Sequence, residues 1–396
     1  MKTGKTSLVF FPLTVVAVLL VSCGALGTFA TDAPDNYDAL VLELVAKDGS
    51  CNVGNRIDYL DTPENPLPVA PLLPLLNHES PQVRWGAAYT LRLMQNRKQC
   101  SAEMLAAAQK EQNAFALTEM VQGLGTIRST AATPLLSELM VKHDSAEVRY
   151  AAVEAEYCIR DTNAVPALLS ATFDKSPNVA IRALYVLGNI GDARAVDRLL
   201  TVASEGDRDA RMSAVQALGM IGDTGAAPTL RSLLTSADAS LIKQVIWSLA
   251  RAHDAKTVAA LLPLLEHKDP AIVEDTRQAL VKIGNHEVLM HFVGQYRQDP
   301  DNSLALGVIA SIFSQRNKVF GEPLKGLSSD RISALAKHLS VALKEQIETK
   351  HIKSIRYVGD ILFVHVRLEG HGADFIVIRG NDEIFKSGRI IQSWIE

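Results

Sequence analysis

The 396-residue sequence predicts an all-α fold, an α-α superhelix built from pairs of helices, followed by a small C-terminal α+β domain. Three observations support this fold class. A unit of 31 residues recurs through the middle of the chain, and aromatic residues make up only 6% of the whole sequence. Residues 329–396 differ in hydrophobic period, because one amphipathic helix is followed there by segments of alternating pattern. With 47% hydrophobic residues, the chain can bury a large core in two or more folding units.

The first 22 residues have the pattern of a secretory signal peptide. Two lysines precede an apolar stretch over residues 8–21, which is shorter than a membrane-spanning helix. Residues 20–23 (LVSC) resemble the bacterial lipobox, in which the cysteine becomes the lipidated first residue of the mature protein. Ordinary cleavage after Ala30 is the alternative. The favoured interpretation is an exported protein with a lipid anchor at Cys23, either an outer membrane lipoprotein or a periplasmic protein of the cell envelope.

Residues 23–65 are interpreted as a tether that contains one short helix, over 37–46. Cys51 and Cys100 flank the first predicted pair of helices. In an oxidising compartment they are the candidates for a disulfide. Two free thiols are the alternative, because sequence spacing does not establish the Cα geometry that a disulfide needs.

Two markers define the repeated unit. Apolar residues recur near the start of each second helix, at Val148, Val179, Ala210, Leu241 and Ile272. An acidic or amide residue recurs before each first helix, at Asp161, Asp192, Asp223, Asp254 and Asn285. Such side chains accept hydrogen bonds from the free N–H groups at a helix start. We call these five residues the acidic ladder. Equivalent positions in stacked repeats lie about 10 Å apart, which is too far for one metal ion to bridge, so the acidic ladder predicts helix caps and not a metal site.

Residues 187–196 (LGNIGDARAV) resemble HEAT repeats, specifically the short HEAT-like repeats named after the phycobilisome lyases. The resemblance covers about residues 66–300, and residues 286–316 fit a degenerate last unit, so we expect the solenoid over 66–316. The resemblance implies a right-handed α-solenoid whose second helices line a concave surface. Solenoids of this kind commonly act as binding scaffolds.

The third repeat departs from the pattern at two neighbouring positions. Glu156 stands where the other repeats have leucine, at Leu91, Leu124, Leu187, Leu218, Leu249 and Leu280. Tyr157 follows, where two neighbouring units have Gly188 and Gly219. One interpretation is a small helix rotation that exposes Glu156 and buries Tyr157. The other is a polar notch in the solenoid with Arg149 or Arg160 as partner of the carboxylate, because a lone buried carboxylate is costly.

Further candidate partner-binding residues lie on the second helices. Three arginines stand near the start of such a helix, where they either pair with acidic turn residues or line one edge of the concave face: Arg84, Arg149 and Arg211. Three aromatic residues on the same helices are also candidates: Trp85, Tyr150 and Trp247. Arginine and aromatic side chains are the usual anchors of protein interfaces. Packing or solvation is the alternative role for each of the six.

Residues 329–396 predict a separate α+β domain. An amphipathic helix with Leu335 and Leu339 on its apolar side precedes segments of alternating pattern at 362–368, 375–379 and 389–395. Glycine-containing turns separate these segments. We predict one helix packed against a three- or four-stranded antiparallel sheet.

The sequence shows no catalytic constellation. It has no Gly-x-Ser-x-Gly elbow, no Walker loop and no dinucleotide-binding glycine pattern. His365, Glu369 and His371 cluster in sequence, but a solvated strand edge explains them better than shared metal ligation. The HEAT-like deoxyhypusine hydroxylases use four His-Glu pairs to hold two metals, whereas only two such pairs, at 78–79 and 286–287, occur here.

The charge balance, with 40 basic and 44 acidic residues, gives no electrostatic support for nucleic-acid binding. We therefore expect no cofactor, no metal and no catalysis. The expected function is a scaffold of the bacterial cell envelope that binds a protein partner on its concave face. Two alternatives stay open. One is an enzyme or small-ligand-binding protein, with its site in the C-terminal domain or on lyase- or hydroxylase-like repeats, and the other is a structural spacer.

Overall fold

A computed structural model describes residues 69–315 of the protein, without 253, 255, 300 and 301, together with part of the C-terminal region. The described C-terminal residues are 330, 333, 335–337, 339–340, 348–358, 361–367, 373–379 and 389–390. Several predictions lie outside the described residues and stay predictions: the signal peptide at 1–22, lipidation at Cys23, the tether at 23–65 and Cys51.

Fifteen α-helices follow one another in the described part of residues 81–315. They are α1 (Pro81–Leu93), α2 (Ser101–Ala108), α3 (Ala114–Ile127), α4 (Thr133–Lys142), α5 (Ala146–Ile159), α6 (Val165–Ala171), α7 (Pro177–Ile190), α8 (Val196–Glu205), α9 (Arg208–Ile221), α10 (Ala227–Ser232), α11 (Ala239–Ala252), α12 (Thr257–Leu261), α13 (Pro270–Ile283), α14 (His286–Gln298) and α15 (Ser303–Gln315). Even numbers are the first helices of the repeats and odd numbers the second helices. Two short 3-10 turns, Ala70–Leu72 and Pro74–Asn77, precede α1. The predicted succession of helix pairs is confirmed.

The acidic ladder caps the first helices as predicted. The Asp161, Asp192 and Asp223 carboxylates accept hydrogen bonds from the backbone N–H two residues on, at 2.9, 2.9 and 2.6 Å. Each bond stands at the start of a 3-10 turn that continues into α6, α8 or α10. Asp254 and Asn285 accept bonds of 3.1 and 3.0 Å before α12 and α14.

The chain divides into two compact units, one ending at Leu233 and the other starting at Leu234. This boundary falls inside the predicted solenoid at 66–316. Within the first unit, each second helix packs against the next one along the chain, from α1 to α9. Of the apolar marker residues in the first unit, Val148 and Val179 are fully buried and Ala210 is half-buried.

Glycine allows a close approach between two pairs of second helices. A Cβ added at Gly125 of α3 would lie 2.6 Å from the Cα of Ala155 on α5. A Cβ added at Gly188 of α7 would lie 2.5 Å from the Cα of Ala217 on α9. Because both distances are below van der Waals contact, these positions exclude a side chain without movement of the backbone.

Tyr157 occupies the equivalent position of α5. Its ring lies 5.8 Å from the ring of Tyr185 on α7. An aromatic ring needs more room than glycine, and α5 and α7 pack less closely than α3 and α5 or α7 and α9. The third repeat thus has an aromatic ring at the contact between two second helices that pack less closely than their neighbours.

The second unit contains four described strands: β1 (Ile352–Val358), β2 (Ile361–Arg367), β3 (Ala373–Arg379) and β4 (Arg389–Ile390). They form an antiparallel sheet in the order β1-β2-β3-β4, with Val364 paired to Ile355 and Ile376. Residues 330, 333, 335–337 and 339–340 are helical. The packing of this helix on the sheet, and hence the α+β domain at 329–396, stays a prediction. None of the described helices has the length and apolar character needed to cross a membrane.

Candidate functional site

A groove of about 710 Å³ lies on the second helices of the first unit. Its lining comes mainly from α5 and α7, with further residues from α3 and α9. Aromatic, aliphatic and neutral polar side chains line it, among them Gln122, Tyr150, Ile181 and Tyr185. Tyr157 is not one of the lining residues, but it lies against two of them, Arg182 and Tyr185.

Arg182 is a charged residue of the groove lining that makes an ion pair and two ring contacts. Its Nη2 donates a 2.8 Å hydrogen bond to Glu154, and its Nε donates a second, shorter one to the same carboxylate. The guanidinium carbon lies 4.7 Å from the ring centre of Tyr157 and 4.9 Å from that of Tyr185. Burial alone would lower the pKa of Arg182, but the bonds and charge of Glu154 raise it, so the arginine stays charged.

Tyr150 and Glu147 form an exposed pair at one side of the groove. Both line it, and the Tyr150 side chain is 40% exposed. They stand three residues apart on α5, so they share a helix face. The Ser145 hydroxyl donates a 2.6 Å hydrogen bond to Glu147, which lowers the pKa of that carboxyl, and the charge of Arg149 adds to the effect. Glu147 is therefore ionised at neutral pH.

A second aromatic cluster lies on α1 and α3. The Trp85 ring stacks on Tyr89 and on Phe115, each at 5.1 Å between ring centres. Arg92 lies 5.1 Å from the Tyr89 ring centre and donates a 2.6 Å hydrogen bond to Glu119. Phe115 is 55% exposed. The cluster repeats the combination of arginine, carboxylate and ring found around Arg182.

Arg84 makes a structural ion pair. Its Nε and Nη2 donate hydrogen bonds of 2.5 and 2.7 Å to Glu111 in the turn of the next repeat. Its Nη1 donates to the carbonyl oxygens of His78 and Glu79, at 2.7 and 2.9 Å. Of the two interpretations of this arginine, pairing with an acidic turn residue is confirmed.

Arg149 repeats the same arrangement two units later. It donates bonds of 2.6 and 2.9 Å to Asp174, and bonds of 2.8 Å to the carbonyl oxygens of His143 and Asp144. The side chains of Arg149 and Asp174 are 4% and 7% exposed. Burial would raise the pKa of Asp174, but the bonds from Arg149 and from the Ser176 N–H hold it below its usual value. The pair joins two repeats and is closed to a partner.

The other two candidates lie apart from the groove lining. Arg211 donates a 3.2 Å bond to the Gly206 carbonyl oxygen, and its buried Nε has no hydrogen-bond partner among the described residues. Trp247 lies on α11 in the second unit, where the Lys282 ammonium stands 5.5 Å from its ring centre. Neither Arg211 nor Trp247 lines the groove that contains Tyr150.

Glu156 lies in the core, so both sequence interpretations of this residue are wrong. The side chain is fully buried, and neither carboxylate oxygen has a hydrogen bond of ordinary geometry to a described residue. Arg149 is bonded to Asp174, and Arg160 is exposed beyond the end of α5. A rotation of α5 is prevented because its core residues, such as Val148, keep the same phase as in the other repeats.

The burial of Glu156 has a chemical consequence. Burial is the largest effect, and it raises the pKa of this carboxyl to about 7. The Thr133 hydroxyl and the Asp161 backbone lower it, whereas the Asp161 carboxylate raises it further. The carboxyl therefore titrates near neutral pH inside the protein.

Sequence reasoning missed Arg182, Tyr185 and Glu154. The available signal was the spacing of Arg182 and Tyr185, which stand three residues apart and therefore share a helix face. It also missed Phe173, which lies outside the groove, is 70% exposed and carries Arg198 at 3.6 Å from its ring centre.

Two further sequence predictions touch described residues. Cys100 is buried, its Sγ donates a hydrogen bond to the Arg97 carbonyl oxygen, and burial raises the pKa of its thiol to about 11. Because Cys51 lies outside the described residues, the Cys51–Cys100 disulfide stays a prediction. His365 lies on β2, whereas Glu369 and His371 are not described. No group of three or more potential metal ligands occurs among the residues that the structure describes.

A family model of HEAT repeats matches residues 69–157, 165–250 and 232–312, which is more than half of the chain. No curated protein matches the sequence. Similar solved structures include the Escherichia coli protein YibA, at 17% identity and a TM-score of 0.44, with 72% of this chain and 98% of that chain covered.

Two other similar structures are enzymes or parts of enzymes. Human deoxyhypusine hydroxylase shares 20% identity at a TM-score of 0.28, with 63% of this chain and 96% of that chain covered. The complex of CpcE and CpcF of phycocyanin lyase from Nostoc shares 17% identity at a TM-score of 0.36, with 63% and 94% covered. Likeness at this level concerns the fold alone.

The titration of Glu156 predicts an unusual pH dependence of stability. Its pKa is about 7 in the folded protein, against an ordinary value of 4.5, so the folded state binds the proton more tightly. The free energy of unfolding should therefore fall as pH rises through this window, by about 2–3 kcal/mol from pH 5 to pH 8 relative to a Glu156→Gln variant. Chemical denaturation of both proteins at the two pH values measures this difference. If the free energy of unfolding depended on pH in the same way in both proteins, the raised pKa of a buried Glu156 carboxyl would be contradicted.

Proposed function

Because the chain belongs to the HEAT-repeat family, we propose that it is a non-catalytic scaffold that holds a protein partner in the groove on α3, α5, α7 and α9. The observation that carries this proposal is the groove lining, with an exposed Tyr150 ring beside the ordered Arg182 and Tyr185. Stacked repeats offer extended surfaces for binding. Tyrosine and arginine are the side chains most often found as energetic anchors of interfaces.

The order of the groove side chains supports binding over a purely structural role. Arg182 is held by Glu154 and by two tyrosine rings. A partner that packs on this cluster therefore restricts few side chains that were free before, which lowers the entropic cost of association. A structural spacer needs no such arrangement.

The proposed site of action is the cell envelope. The support is the sequence pattern of residues 1–23, with a basic start, an apolar stretch and the LVSC segment. In this proposal Cys23 carries a lipid, residues 23–65 separate the repeats from the membrane, and the partner is another envelope protein. A periplasmic protein cleaved after Ala30 is the alternative.

Position-specific cross-linking in cells tests the groove. A photo-reactive phenylalanine analogue replaces Tyr150 or Tyr185 in the full-length protein, and replaces the exposed Phe173 outside the groove as the matched control. We expect the two groove positions to capture the same protein and the control position not to capture it. If the groove positions capture nothing, or only what position 173 captures, the scaffold proposal is wrong and the enzyme or small-ligand alternative takes its place.

The lipid anchor has its own test. A Cys23→Ser variant should lose metabolic labelling with a radioactive fatty acid and should no longer sediment with membranes, because the lipidated atom is missing. A Cys158→Ser variant, which changes a cysteine of the repeats, should keep both properties. If the two variants were labelled and sedimented to the same extent, Cys23 would not be the lipidated residue and the proposed anchor would be wrong.

A further inference from the structure

The groove lining has one charge that is not balanced by an ion pair, and this charge is negative. Glu147 and Arg182 are the charged residues of the described lining. Arg182 donates two hydrogen bonds to Glu154, so the charges of these two groups cancel. Glu147 is exposed, and its bonding partner Ser145 is neutral. A ligand in the groove therefore meets a net negative charge at Glu147.

The face of the Tyr150 ring is open, whereas the neighbouring tyrosine rings already contact a guanidinium. Tyr157 and Tyr185 already face the guanidinium of Arg182. Among the described residues, no ring stacks on the face of Tyr150 and no cation lies over it, although Tyr150 is near enough to Arg182 to affect the pKa of that guanidinium. Tyr150 is 40% exposed. A ring face beside a carboxylate attracts a cationic side chain through the ring quadrupole and the opposite charge together.

The remaining polar lining fits a peptide backbone. The side-chain amides of Gln122 and Asn178 are exposed and make no hydrogen bond to a described residue. Each offers both a donor and an acceptor, which matches the N–H and C=O of an extended chain. The two amides lie on α3 and α7, on either side of Tyr150 on α5.

We propose that the groove binds an extended, basic segment of the partner protein, with a lysine or arginine side chain over the Tyr150 ring and against the Glu147 carboxylate. The amides of Gln122 and Asn178 bind the backbone of the segment. This inference rests on the proposed function and adds the chemistry of the occupant. A neutral or acidic segment would leave the Glu147 charge uncompensated in the complex.

Selection from a library of random 12-residue peptides displayed on phage tests the inference with the purified mature chain. We expect the selected peptides to be enriched in lysine and arginine. For the strongest of them, fluorescence polarisation should show about tenfold weaker binding with Tyr150→Ala and about three- to fivefold weaker binding with Glu147→Gln. Added salt should weaken binding to the unaltered protein more than binding to Glu147→Gln.

Two matched variants outside the groove serve as controls. Phe173→Ala removes an exposed ring, and Glu138→Gln removes an exposed carboxylate that pairs with Lys142. Both should bind the peptide as the unaltered protein does. Neutral or acidic selected peptides, no selected peptide at all, or basic peptides that bind equally to the groove variants would each overturn the inference. If cross-linking from Tyr150 still captures a partner in that case, the scaffold function stands and only the basic occupant is wrong.

Discussion

At two contacts in the first unit, the close packing of neighbouring second helices depends on a single residue position. Where that position is glycine, as at Gly125 and Gly188, the next helix approaches until no side chain fits. Interaxial distances between packed helices vary between about 8 and 10 Å with the side chains at the contact. Tyr157 places an aromatic ring at this position, and α5 and α7, which supply most of the groove lining, pack less closely than their neighbours.

Glu156, the residue before Tyr157, shows that the departure from the repeat pattern in the third unit costs stability. Glu156 replaces a core leucine, and its carboxyl is buried without a hydrogen bond of ordinary geometry. Burying such a group costs free energy that a leucine would not cost. Departures from the local rules of a fold concentrate at functional sites. Two adjacent departures beside the groove therefore agree with a binding role for this repeat.

Most of the fold, but only part of the site, was predictable from the sequence. The 31-residue period located the helix pairs, and the acidic ladder identified the caps, because both depend on short-range pattern. The partners of Arg84 and Arg149 lie more than twenty residues away in the next turn, so spacing along the chain left their roles open. The burial of Glu156 was not predicted, because packing against neighbouring repeats fixes which face of α5 points into the core. Arg182 was missed because its two rings come from different helices.

A crystal structure of a Tyr157→Gly variant, beside one of the unaltered protein, tests the central claim most directly. If the tyrosine ring holds α5 and α7 apart, the glycine variant should bring these helices to the close approach seen between α7 and α9. The groove should then shrink well below its present volume of about 710 Å³. A Tyr157→Phe variant keeps the ring and should keep the groove. An unchanged separation of α5 and α7 in the glycine variant would contradict the account.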